Sequence, residues 1–174
     1  LRDVTSTVDS IPLIASSIIS KKVAEGTEAL VLDVKTGSGA FMVEEDQARD
    51  LARTMVELGE DSGVATVALI TGMHTVLGQA AGNALEVAEA IDVLEGRGPD
   101  DVVEVTLALA REMLALIGID TDPAVVLATG EPREVFDRMV AAQGGDLSAG
   151  LPVAGHRQEI VAPTTGYLGR LDCR

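Results

Sequence analysis

Aromatic side chains are nearly absent from this sequence, which has two Phe, one Tyr and no Trp in 174 residues. A core must therefore be assembled from smaller apolar groups. Gly, Ala, Val and Leu dominate, and 47% of the chain is hydrophobic, enough to exclude a disordered polymer and to suit a tightly packed α/β protein. Cysteine is reduced to Cys173, so neither an intrachain disulfide nor a thiolate metal cluster can form. Positive charge is also scarce, with 13 Lys and Arg against 28 Asp and Glu and a formal net charge of −15. That field repels nucleic acid and anionic membranes, so neither is an expected partner. An anionic substrate such as phosphate needs a local cluster of cations and backbone N–H donors. At the start, Arg2 and Asp3 stand beside Leu1 without an apolar stretch behind them, unlike a signal peptide. With the lone cysteine, this points to a cytoplasmic setting.

Only one long stretch lacks formal charge, from Ser62 to Leu85. Its length invites a membrane-spanning reading. However, Gly63, Gly72, Gly78 and Gly82 interrupt it, and Thr71, His74, Gln79 and Asn83 add polar groups. A buried strand followed by a Gly-rich loop accounts for it better.

Helix and strand patterns alternate along the chain. Ser10 to Glu25 reads as a helix, with Ser10 to cap it, Pro12 in its first turn, apolar residues at helical spacing and Gly26 to end it. Ala29 to Val34 reads as a strand buried on both faces, running into the loop Lys35-Thr36-Gly37-Ser38-Gly39. A helix near Glu44 to Leu58 and a second buried strand, Val64 to Ile70, repeat the pattern. Further helices are expected over Asn83 to Leu94, Asp100 to Ile117 and Glu131 to Ala142. This order predicts parallel strands joined by crossovers. After Gly144 the sequence becomes Gly- and Pro-punctuated and β-like, notably at Glu159 to Pro163 and Gly166 to Leu171.

The chemistry-bearing residues gather at the first helix. Ser17 and Lys21 are four apart, which places them on one face about one turn (~5.4 Å) from each other, within reach of one small planar ligand. Arg2, from the preceding loop, could complete a three-sided polar pocket with its fixed fork of donors. Spacing alone leaves a second reading open: Lys21 and Lys22 also suit the electronegative end of a helix, and Ser17 a tight packing contact. The loop Lys35 to Gly39 has the glycines of a phosphate cradle but is not a Walker A motif, and Lys35, Ser38 and Asp33 are read as structural.

The segment Leu1-Arg2-Asp3-Val4-Thr5-Ser6-Thr7-Val8-Asp9-Ser10-Ile11-Pro12 through Lys21-Lys22 resembles the base-binding segment of the thymidine and pyrimidine-nucleoside phosphorylase family. Val31 to Met42, containing Asp33-Val34-Lys35-Thr36-Gly37-Ser38-Gly39-Ala40-Phe41, resembles the family's next block, and the similarity continues through Ala81 to Val87 and Arg138 to Gln143. The resemblance implies that Arg2, Ser17 and Lys21 bind the pyrimidine. Arg2 and Lys21 would act catalytically, stabilising the negative charge that builds on the base as the glycosidic bond breaks. It implies inorganic phosphate as co-substrate, no organic cofactor, a homodimer, and a potassium ion at Leu77, Ala80 and Glu89. Carbonyl oxygens with one carboxylate are reasonable hard ligands for that ion. His74 falls where family members vary, and no catalytic role is expected of it.

The implied fold is α/β: residues 1–26 from a helical domain, 27–150 a central domain whose parallel or mixed sheet is flanked by helices, and 151–174 the start of a C-terminal α+β domain. The family's Gly-rich phosphate signature is not found among these residues, so the segment alone is expected to be inactive. Two alternatives remain: a related phosphoribosyltransferase, which would need a pyrophosphate-and-magnesium site not found here, and a non-catalytic protein that keeps the scaffold.

Overall fold

Alternating helix and strand patterns are realised as an α/β fold. The computed structural model describes residues 4–169 and 171. Its elements are α1 (Ile11–Ala24), β1 (Ala29–Thr36), α2 (Glu45–Asp61), β2 (Ala65–Gly72), α3 (Asn83–Leu94), α4 (Asp100–Leu116), α5 (Pro123–Ala128) and α6 (Glu131–Ala142). A single 3₁₀ turn, Leu147–Ala149, follows. The chain divides into two compact units: residues 4–75 with Thr106–Thr121, and Val76–Val105 with 122–169 and Leu171.

In the first unit β1 and β2 pair in parallel, in the register Ala29↔Ala65 through Thr36↔Gly72. Successive strand residues point to opposite faces. Leu30, Leu32 and Val34 of β1, with Ala68 and Ile70 of β2, pack with α1 and α2. Helix α2 supplies Ala48, Leu51, Ala52 and Met55, a stripe at the helical period. Helix α1 supplies Ile14, Ala15 and Ile19. Gly59 lets α2 approach β2 closely, because a Cβ there would collide with the Thr66 side chain. Thr66 itself is buried and donates its hydroxyl to the Val64 carbonyl at 2.8 Å.

The ends of α1 follow the sequence in outline. Ser10 occupies the N-cap position in extended conformation, although its side chain makes no capping hydrogen bond. Gly26, at φ +76°, takes the left-handed conformation that closes the helix, and its N–H reaches the Val23 carbonyl at 3.0 Å.

In the second unit α6 packs against α3 and α5. Arg133 of α6 pairs with Glu95 at the C-terminal end of α3 and, within its own helix, with Asp137 at 2.8 Å; Arg97 pairs locally with Asp92 at 2.7 Å and with Glu95. Helix α5 was not anticipated, yet Asp122 caps it by accepting the Ala124 N–H at 3.0 Å, and Pro123 opens it.

The β-like tail is a correction. Residues 151–169 contain no strand, and Ile160, Val161, Tyr167 and Leu168 are exposed. Strand propensity alone does not hold an extended segment; it needs a neighbour to pair its N–H and C=O groups. Among the described residues no helix is long and apolar enough to cross a membrane.

Candidate functional site

Helix α1 presents Ile14, Ser17, Ile18 and Lys21 at i, i+3, i+4 and i+7, which is one helical face. Ile14 and Ile18 line a cavity of about 270 Å³, and Phe41, Met42, Leu51 and Met55 form other parts of its wall. One turn further along the same face, the Lys21 ammonium donates to the Ser17 hydroxyl at 3.2 Å. Ser17 is half-buried and Lys21 exposed. An apolar enclosure beside a short row of polar donors can take a flat ring with oxygens on its edge. Arg2, the third residue expected in this group, lies outside the described residues.

The cavity wall contributed by β1 consists of Leu32, Asp33, Val34 and Lys35. Here three polar side chains converge. Lys35 Nζ lies 2.7 Å from Asp33 Oδ2 and donates to Thr71 Oγ1 at 2.8 Å, while the Thr71 hydroxyl donates to Asp33 Oδ1 at 2.5 Å. Thr71 stands opposite Lys35 in the strand register. The triangle joins the C-terminal ends of both parallel strands, the end at which α/β sheets bind ligands.

Three N–H groups of the glycine loop after β1 are bonded within the protein. The N–H of Gly37 reaches the Val43 carbonyl at 3.2 Å, that of Gly39 the Met73 carbonyl at 2.9 Å, and that of Ala40 the Gly37 carbonyl at 3.0 Å. These three donors, which a phosphate cradle would need, are taken up in fastening the loop. His74 packs over Gly37, where a Cβ would come within 2.9 Å of the imidazole Nδ1.

The three residues expected to hold a cation lie in the second unit. Glu89 Oε2 accepts the Gln79 N–H at 2.8 Å, and Asp101 Oδ2 accepts the Gly78 N–H at 2.9 Å. A side chain at Gly78 would collide with the Glu89 carboxylate. Ala80 and Glu89 share the lining of a cavity of about 590 Å³ with Asp92, Arg97 and Asp100. Leu77 is absent from that lining and is exposed. The loop is therefore held against Glu89. No cluster of three or more His, Cys, Asp or Glu that could hold a metal occurs among the described residues.

Sequence reasoning missed Thr71 and the cavity role of Phe41. The signal for Phe41 was its rarity, as one of two Phe, beside a glycine loop. Thr71 carried no such signal, because its partnership with Lys35 depends on strand register.

The family model described as "Glycosyl transferase family, a/b domain" matches residues 1–130. The chain is 60% identical over 173 residues to a protein of Mycobacterium tuberculosis (strain CDC 1551 / Oshkosh) named thymidine phosphorylase, covering 99% of this chain and 40% of that one. It is 47% identical over 183 residues to a pyrimidine-nucleoside phosphorylase of Bacillus subtilis (strain 168), covering 98% and 42%. A pyrimidine-nucleoside phosphorylase of Staphylococcus aureus (strain USA300) is 45% identical with the same coverage. The chain spans about two-fifths of the length of these relatives. The match over residues 1–130, on a parallel β1–β2 core, makes this chain a member of the glycosyl transferase family with its a/b domain.

Proposed function

We propose that the full-length protein catalyses phosphorolysis of pyrimidine nucleosides, thymidine and also uridine or deoxyuridine, to the free base and a (deoxy)ribose 1-phosphate. The observation that carries the reading is the α1 face, where Ile14 and Ile18 border an apolar cavity and the bonded Ser17–Lys21 pair follows one turn on. The names of the relatives at 60% and 47% identity support it.

In this reaction the C1′–N bond breaks with its electron pair remaining on the base. A hydrogen phosphate oxygen bonds to C1′, and the proton of hydrogen phosphate ends on the base nitrogen. Lys21 and Arg2 donate to the base carbonyl oxygens, where charge accumulates, and Ser17 contacts the ring edge. Donors fixed before the reaction favour the charged transition state over the neutral nucleoside. The apolar wall excludes water and strengthens those interactions. No organic cofactor takes part. A potassium ion held by Leu77, Ala80 and Glu89 would stiffen their loop, and the protein would work as a cytoplasmic homodimer.

The experiment is ultraviolet detection of base release from thymidine, uridine and deoxyuridine by the full-length protein, with and without inorganic phosphate. Phosphate-dependent release is expected, and its absence with every substrate would overturn the proposal. Turnover strictly dependent on magnesium and a diphosphorylated sugar would instead indicate a phosphoribosyltransferase. Lys21→Ala should lower kcat/KM by about 10²- to 10³-fold, the usual cost of removing one charge-stabilising donor.

A further inference from the structure

We propose that Asp33 and Lys35, held by Thr71, form the polar wall of the α1 cavity and bind the hydroxyl groups of the nucleoside's pentose. The inference rests on the phosphorolysis reading and adds a sugar-recognising element to it.

The first observation is placement. Four consecutive residues of β1, 32 to 35, line the cavity. One face of a strand would offer only alternate residues, so the cavity runs along the edge of β1, where groups from both faces can reach it. Among the described residues β1 pairs with β2 on one side only. Among the described residues lining this cavity, Asp33 and Lys35 are the only polar ones.

The second observation is chemistry. Asp33 and Lys35 form a neutral pair, which offers no surplus charge to an anion but presents a donor and an acceptor side by side. A sugar hydroxyl is both, and is matched by such a pair. Two of the three Lys35 donors go to Asp33 and Thr71, leaving one for a ligand among the described contacts. Each Asp33 oxygen accepts one bond and keeps a second lone-pair site.

The third observation is rigidity. A lysine side chain in solution samples many rotamers, and ordering it opposes binding. The Thr71 hydroxyl accepts from Lys35 and donates to Asp33, which fixes both before a ligand arrives. A partly buried ion pair adds little net stability compared with apolar residues of similar size, so stability alone gives a weak reason for this cluster.

The test uses the full-length protein and calorimetric titration with uridine and, separately, uracil. Lys35→Met and Asp33→Asn are expected to weaken uridine binding by roughly tenfold to a hundredfold, as loss of a charge-assisted hydrogen bond does, with uracil affinity unchanged. Thr71→Val, which keeps both charged groups, should give a smaller loss of the same selectivity, and Lys35→Arg should recover part of the binding. Equal losses for uridine and uracil, or lowered thermal stability with neither affinity altered, would overturn the inference and leave the cluster a brace between strand ends. If Lys35→Met fails to fold, the uridine-to-uracil ratio in Thr71→Val decides by the same criterion. Wild-type protein that binds neither molecule and releases no base would instead refute phosphorolysis itself.

Discussion

The two units are held together by different means. In the first, Ile14, Ile19, Val34, Met42, Leu51 and Met55 are buried around the junction of α1, α2 and the strands. In the second, Val93 is the one comparably buried apolar residue among the described ones, and the Arg133–Glu95 pair joins α6 to the end of α3. The lesson concerns where precision is available. A close-packed core fixes positions to fractions of an ångström, whereas exposed ion pairs tolerate rearrangement. The polar groups of the proposed site, Asp33 with Lys35 in the cavity wall and Ser17 with Lys21 beside it, stand on elements of the packed unit.

The sharpest way to break this comparison is to hollow out one unit and shave the other. Ile19 is 2% exposed, and Ile19→Ala should destabilise the protein by about 2–5 kcal/mol in urea unfolding, through lost burial and the cavity left behind. Val135 on α6 is 53% exposed, and Val135→Ala should change stability by no more than about 0.5 kcal/mol. Similar losses at both positions would mean that the second unit has a core comparable to the first.

A smaller effect is expected at the α2–β2 contact. Gly59→Ala forces a methyl group against Thr66 Oγ1 and should cost about 1–3 kcal/mol through overpacking. Adding Thr66→Ala should recover part of that loss, since it removes the nearest obstructing atom. Two changes that simply add would place the cause outside this contact.

The elements of the packed unit were legible because their signals are local. The apolar run after Gly26, the spacing of Ile14, Ile18 and Lys21, and the α2 stripe each need only neighbouring residues to be recognised. The strands extend two residues beyond their expected ends, so Lys35 and Thr36 belong to β1 and Thr71 and Gly72 to β2. Parallel pairing sustains them there, and pairing is a property of two segments. For the same reason the Asp33–Lys35–Thr71 triangle was invisible. The tail failed in the opposite direction, since Glu159 to Pro163 has local β character without a paired neighbour among the described residues. Helix α5 was overlooked although Asp122-Pro123 is a cap followed by an N1 proline, because the helix is only six residues long.

Salt should separate the units next. Hydrogen bonds from Arg97 to Glu95 and then Asp92 hold the Arg97 guanidinium pKa above its usual value, and the bond to Asp137 does the same for Arg133. Both arginines remain charged throughout the accessible pH range, so pH is a poor probe and screening a good one. At about 1 M salt the screening length falls to ~3 Å, and amide exchange in α6 should quicken while exchange in α2 stays unchanged. Arg133→Met should produce the same quickening at low salt and abolish its further salt dependence. Equal salt sensitivity in α2 and α6 would refute the proposed division.

The smallest effect lies at the 3₁₀ turn, where Ser148 donates to Asp146 through its hydroxyl at 2.6 Å and its backbone N–H at 2.9 Å. These bonds, the side-chain one foremost, hold the Asp146 carboxyl below the ordinary carboxylate range. A depressed folded-state pKa means that the turn is stabilised fully above the unfolded value and loses that stabilisation as pH falls through the lowered one. Carboxyl NMR titration should therefore find Asp146 below the ordinary value of an Asp carboxyl. Ser148→Ala should raise it toward that value and move the loss of the turn to higher pH, whereas an unchanged titration would leave the backbone N–H groups of Ser148 and Ala149 as the cause.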